Sequence, residues 1–143
     1  MSIWHERPDP SALDALHENT AVASLGIRIT AVEDDALIGT MPVDARTVQP
    51  FGLLHGGANV LLAETLGSAA SNFCIDQQTH VAVGVEVNAN HVGGARDGEV
   101  TGVCRPLHLG RRLHVWEIRI SQQERLLCAA RLTMSVIDRS TAR

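Results

Sequence analysis

Hydrophobic positions fall at strand spacing at both ends of this chain and at helix spacing in between. Leu25 to Glu33 reads as a strand, Asp34-Asp35 as a tight turn, and Ala36 to Val43 as a returning strand that closes a hairpin. Upstream, Asp9 and Ser11 are placed to cap a short helix, Ser11 to about His17, that presents Leu13 and Leu16. Arg46 to Leu54, with Pro50 and Gly52, reads as a loop. A long helix follows from about Gly56 to Phe73, with Leu62, Leu66, Ala69 and Phe73 spaced along one core-facing stripe. Val81, Val83, Val85 and Val87 then alternate strictly. Arg96-Asp97-Gly98 turns the chain into Val100-Thr101-Gly102-Val103-Cys104. Gly110 breaks the run before the alternating Trp116, Ile118 and Ile120, and Gln122-Gln123-Glu124 turns into Leu126 to Ile137.

A strand pair, one long helix and a run of three or four antiparallel strands predict an α+β domain in which the helix covers the sheet's apolar face. With 143 residues and neither repeat nor linker, the chain is expected to be one domain, 1–143. Two Trp, two Phe and no Tyr leave Val, Leu, Ile and Ala to build the core. Such a sheet has edges to protect, and strands this aliphatic predict pairing with another subunit.

Charge narrows the partners. The net charge is −4, and the twelve basic residues, all Arg, are scattered without interleaved aromatics, so no nucleic acid is expected. Met1 to Arg7 lacks the pattern of a signal peptide, and no apolar run approaches the ~20 residues of a membrane span. Cys74, Cys104 and Cys128 are widely spaced with no CxxC, a pattern of buried thiols in a reducing compartment. A cytoplasmic protein is expected, with no membrane partner.

The chemistry centres on Glu64, the only Asp, Glu, Lys or Arg between Arg46 and Asp76. Helical geometry puts it on a face with Gly57, Val60, Leu61, Gly67, Ser68 and Ser71, away from Leu62, Leu66 and Phe73. Small residues there leave room for a ligand or a second subunit, and Ser68, one turn on, is within reach of the carboxylate or a water beside it. At the helix start, His55-Gly56-Gly57 offers backbone N–H groups at the positive end of the helix dipole, with no side chain at the glycines to block approach. Gln49 adds a neutral amide donor. A lone glutamate on a helix is ordinarily a solvated surface residue; carbonyl polariser, small-residue face and carboxylate together point to attack on an activated acyl group, best a thioester. The chain has no GxSxG, so a serine triad is not expected. His55, His91, His108 and His114 show no HExxH or short paired spacing, and neither a metal nor a cofactor is expected. Gly110-Arg111-Arg112 offers cations for phosphate, though an Arg pair at a strand start is more often a solvated turn.

These residues resemble the hotdog-fold acyl-CoA thioesterases of the Arthrobacter-type 4-hydroxybenzoyl-CoA thioesterase branch, nearest to its 1,4-dihydroxy-2-naphthoyl-CoA hydrolases and enterobactin proofreading thioesterases. The likeness runs from about Met41 to Thr133 and rests on four separated blocks. They are Gln49 to Gly57, Glu64 to Ser68, Val83 to His91, and Cys104 to Arg112 followed by Val115-Trp116. The resemblance implies a curved antiparallel sheet wrapped around one central helix, with two units pairing edge to edge as a homodimer and commonly a homotetramer. Active sites would lie at the subunit interface. Glu64 would be the nucleophile or general base, and Gln49 and the Gly56 N–H of the other subunit would polarise the carbonyl. His55 would help hold the site, and Ser68 would support the water or the carboxylate. Gly84, the segment His91, Val92, Gly93 and Gly94, and the segment His108, Leu109, Gly110, Arg111, Arg112 and Leu113 would line the acyl-CoA site, with Arg111 and Arg112 near its phosphates. Gly93-Gly94 departs from the basic or polar residue common there, so a phosphate contact is expected to be missing or moved.

The expected substrate is an acyl-CoA, aromatic as in 1,4-dihydroxy-2-naphthoyl-CoA or a hydroxybenzoyl-CoA, cleaved to acid and CoA. Two rivals remain. An enoyl-thioester hydratase or dehydratase would pair a catalytic His with an acid at spacings not found here, and a non-catalytic acyl-CoA-binding protein would ordinarily carry a further domain.

Overall fold

A computed structural model describes residues 1–142 of the chain. Its elements are α1 (Pro10–Leu16), α2 (Ala21–Ser24), β1 (Arg28–Val32), β2 (Leu37–Pro42), α3 (Gly56–Phe73), β3 (His80–His91), β4 (Glu99–Leu109), β5 (Leu113–Gln122) and β6 (Arg125–Asp138). The six strands form one antiparallel sheet in the order β1-β2-β4-β5-β6-β3. The helix α3 packs against β2 to β6, so the sheet wraps around it as the hotdog fold requires. Among the described residues no helix is long and apolar enough to cross a membrane.

Seating of the helix is steric as well as apolar. Gly39 of β2 and Gly102 of β4 are cross-strand partners, and a β-carbon on either would stand 2.9 or 2.8 Å from a methyl of Leu66. The paired glycines form a hollow that Leu66 fills, with no part of it exposed. Burying such a side chain contributes about 1.5–3 kcal/mol. Leu62, Trp116, Ile118, Ile120 and Leu132, all without exposure, complete the layer between helix and sheet.

Several boundaries differ from the sequence expectation. Asp9 caps α1 by accepting the Ala12 N–H at 2.9 Å, and Pro10 supplies the first turn. Leu25 to Ile27 do not extend β1, because Thr20 caps the four-residue α2 and Gly26, at φ +72°, turns the chain out of it. The alternating valines of β3 do not share one core face. A bulge between Gly84 and Glu86 shifts the phase, so Val83 and Val85 are exposed while Ala82 is buried and Val87 packs on the core. The segment just after β6 is tied down, with Arg139 Nε donating to the Gln77 carbonyl at 2.8 Å.

The buried arc of α3 is also displaced. It runs through Asn59, Leu62, Ala63, Leu66, Gly67, Ala70 and Ser71, whereas Ala69 and Phe73 of the expected stripe are only half-buried. Gly67 and Ser71, expected beside Glu64, therefore face the sheet. A curved sheet touches more of the helix than one stripe.

Candidate active site

The start of α3 is built by a folded-back loop. Gln49 N–H donates to the Leu53 carbonyl at 2.8 Å and Gly52 N–H returns to the Gln49 carbonyl at 2.9 Å, with Gly52 at φ +80°. The Gln49 side-chain oxygen accepts from the Phe51 N–H. Its amide nitrogen keeps two donors with, among the described residues, no acceptor. His55 caps the helix, its Nδ1 accepting the Gly57 N–H at 2.8 Å. One of the two glycine donors is thereby used internally. The Gly56 N–H meets no acceptor among the described residues and stands at the positive end of an 18-residue helix. Over it lies the His91 imidazole, so close that a β-carbon on Gly56 would be 2.9 Å from Nε2.

Val92, Gly93 and Gly94 complete this end. Val92 and Gly93 N–H donate to the Leu127 carbonyl at 2.8 and 3.1 Å, and Arg125 donates to the Gly94 carbonyl at 2.6 Å. A β-carbon on Gly93 would stand 3.0 Å from a Leu127 methyl and 3.1 Å from Arg125 NH1. The glycines thus let the segment cross the β5–β6 turn closely. The nearest cation is Arg125, supplied by the neighbouring strand rather than by the segment itself.

Two helical turns on, about 12 Å along the axis, Glu64 is exposed on the flank of α3 beside the edge strand β3. Its Oε1 lies against Gly84 of β3. A cleft of about 370 Å³ opens beside it, walled by His17, Ala21 and Val22 on one side and by Leu61, Ser68 and Ala69 on the other. Ser68 shares the cleft, but its hydroxyl contacts Met134 Sδ at 3.7 Å and not the carboxylate. Asn72 bridges α3 to β3, donating to the Ser68 and Ala82 carbonyls at 2.9 and 3.2 Å and accepting the Ala82 N–H at 3.0 Å. That bridge fixes the height of Gly84 against the helix.

His108 to Leu113 form the β4–β5 tip. Arg111 and Arg112 are exposed and border a surface hollow with His80, Val136 and Asp138. Leu109 and Leu113 are partly exposed beside them. A side chain on Gly110 would strike His108 Nε2 at 2.7 Å, and Gly110 N–H closes the tip on the Leu113 carbonyl at 2.8 Å.

Strand register sorts these residues into two groups. One row across the sheet runs Gly84, Met134, His114, Leu109, so Glu64, Ser68, Gly84 and the Arg111–Arg112 tip lie towards one end. The other runs His91, Cys128, Ile120, Gly102, so Gln49, His55, Gly56 and His91 to Gly94 lie towards the opposite end. Gly84 and His91 are seven residues apart on β3, about 23 Å of strand. A single chain does not bring the Glu64 carboxylate and the Gln49 and Gly56 N–H groups together.

Sequence reasoning missed two features. His17 and α2 wall the Glu64 cleft, and only Thr20 as a helix cap hinted at an element there. Ser71 is fully buried, accepting from Trp116 Nε1 at 2.7 Å with His114 Nδ1 at 3.2 Å. Burial holds the His114 pKa below the ordinary histidine value, reinforced by His108 and opposed by the Gly110 carbonyl. No thiol competes as nucleophile. Burial pushes Cys74 up to about 12, and Cys104 and Cys128 are raised by the same cause.

Comparison with known proteins places the architecture. A family model described as the thioesterase superfamily matches residues 51–129. The 1,4-dihydroxy-2-naphthoyl-CoA hydrolase of Escherichia coli is 52% identical over 136 residues, covering 94% of this chain and 99% of that protein. The crystal structure of a mutant thioesterase from Pseudomonas aeruginosa superposes with a TM-score of 0.94 at 52% identity, covering 96% of this chain and 99% of that one. A mutant protein from Staphylococcus aureus superposes at 0.79 with 37% identity, covering 82% and 98%.

Proposed function

Because the chain belongs to the thioesterase superfamily and is a thioester hydrolase, we propose that it cleaves an aromatic acyl-CoA with Glu64 at the reacting carbon. The carbonyl donors would come from Gln49 and Gly56 of the partner subunit. The carrying observation is the free edge of β3, twelve residues long. Gly84, near its middle, borders the Glu64 half of a site, and His91, at its end, borders the other. Antiparallel pairing of this edge with a second copy, about a two-fold axis close to Val87, sets Gly84 opposite the partner's His91. One chain's Glu64 then faces the other's helix start, twice per dimer. A homotetramer would be two such dimers.

In this reading the thioester oxygen accepts from the Gly56 N–H and the Gln49 amide, which stabilise the negative charge it gains as the carbon becomes tetrahedral. Glu64 either attacks that carbon, giving an anhydride that water opens, or takes a proton from the water that attacks. On both routes the C–S bond breaks, the sulfur leaves as thiolate and is protonated, and one water is consumed for each acid and CoA formed. Arg111 and Arg112 supply exposed positive charge for the CoA phosphates. The E. coli relative's name supports an aromatic acyl group. Two Staphylococcus aureus structures support the pair of residues: one carries a glutamine-to-alanine change and the other a glutamate-to-alanine change, fifteen residues apart. That is the separation of Gln49 and Glu64.

Release of free thiol from hydroxybenzoyl-CoA and 1,4-dihydroxy-2-naphthoyl-CoA tests the reading. Hydration of an enoyl thioester, or binding without cleavage, would release none. Glu64→Ala should abolish turnover while leaving binding nearly intact; retention of most of kcat would remove Glu64 from the mechanism. Turnover in ¹⁸O-labelled water separates the two routes, since only the anhydride route puts label into the Glu64 carboxylate.

A further inference from the structure

His17 closes α1, where its carbonyl accepts from Thr20 Oγ1 at 2.5 Å. Its imidazole stands between the Glu64 cleft and a second hollow that holds Asp14 and Arg28. Nδ1 is buried without a hydrogen-bond partner, and among the described residues Nε2 has no protein partner either. A buried polar nitrogen left unpaired is costly. The ring thus keeps hydrogen-bonding capacity that no protein group uses, beside a cleft that a ligand can enter. Burial lowers the pKa of His17 against the pull of Asp14, favouring the neutral ring, which carries one donor and one acceptor nitrogen. A half-turn about its last torsion exchanges nitrogen and carbon positions without moving the ring plane, so a nitrogen can face the cleft.

The rest of the cleft is mainly apolar: Ala21 and Val22 of α2 face Leu61 and Ala69 of α3. Such a lining suits a flat hydrocarbon ring. Asn72 is committed to backbone groups and Thr65 Oγ1 to the Leu61 carbonyl at 2.7 Å. His17 is the titratable side chain sharing this cleft with Glu64.

We propose that the acyl group enters between α2 and α3 and that His17 is a specificity residue, its imidazole hydrogen-bonding a hydroxyl on the ring remote from the thioester. The inference rests on the thioesterase reading of Glu64 and adds which acyl groups that site favours. A hydroxyl without this partner would be desolvated unpaired, whereas an unsubstituted ring loses nothing when His17 is replaced.

The test measures kcat/KM for 2-, 3- and 4-hydroxybenzoyl-CoA, 1,4-dihydroxy-2-naphthoyl-CoA and unsubstituted benzoyl-CoA, with wild type, His17→Phe and His17→Gln. Wild type should favour at least one hydroxylated ring by about tenfold. His17→Phe should erase that preference by slowing the hydroxylated substrate alone, and His17→Gln, which keeps a donor and an acceptor, should restore most of it. An unchanged preference in His17→Phe, an equal loss on benzoyl-CoA, or no preference in wild type overturns the role of His17 while Glu64-dependent hydrolysis still stands. No thiol release from any of these thioesters overturns both readings.

Discussion

The Glu64 carboxylate lies across Gly84: a β-carbon built on Gly84 would stand 3.0 Å from Glu64 Oε1. Gly84 faces inward just before the β3 bulge, opposite Met134, so any side chain there pushes on the carboxylate. If Glu64 acts at the reacting carbon as proposed, Gly84→Ala should lower kcat about tenfold or more with little change in KM, because small displacements of a reacting group are costly. The melting temperature should hold or rise, since alanine suits a strand better than glycine. Steady-state kinetics beside thermal melting decide it; an unchanged kcat would mean the position of Glu64 against Gly84 does not matter.

If the site is shared between subunits, complementary lesions cancel. Glu64→Ala and Gln49→Ala homo-oligomers should each be nearly inactive. Dissociated and reassembled together at equal amounts, they should recover about a quarter of wild-type activity, because half the dimers then hold one intact site of two. No recovery, with mixed dimers verified by mass, would place both residues in one subunit's site.

The His55 side chain spends its Nδ1 on the Gly57 N–H at 2.8 Å, so its first role is to cap α3. His55→Ala should cost about 1 kcal/mol of stability, and His55→Asn, a strong capping residue, should recover most of it. Chemical denaturation measures both. Equal stability of the two variants would show that the cap contributes nothing.

Acid should loosen the fold through His114. Its folded pKa lies below the ordinary value of 6.5 because it is buried against Ser71. The stability this group contributes is therefore full above the unfolded pKa and is lost as pH falls through the folded one. His17, also lowered chiefly by burial, acts in the same direction. Thermal melts from pH 7.5 to 5 should show a declining Tm below about pH 6.5, and His114→Asn should flatten that slope. The same slope in the variant would assign the acid sensitivity elsewhere.

The hairpin, the long helix and the later strands were legible because alternation and helical spacing are local consequences of burial. Glu64 stood out for a local reason too: an isolated charge in a long uncharged stretch is visible without coordinates. Gln49 and Gly56 were visible as a loop and a helix start. The β3 bulge was hidden, since the even alternation of its valines gives no sign of a phase shift. His17 and Ser71 were hidden or misplaced because their surroundings come from residues distant in sequence.

By itself, the sequence determined which residues could act: one carboxylate, one helix start without side chains, one amide donor. Tertiary structure decided where they stand. Register along β3 sets Gly84 beside Glu64 and His91 beside Gly56, seven residues apart on that strand, and the sheet's curvature covers Gly67 and Ser71. Separations across a sheet are set by pairing between distant segments, which no local pattern of residues encodes.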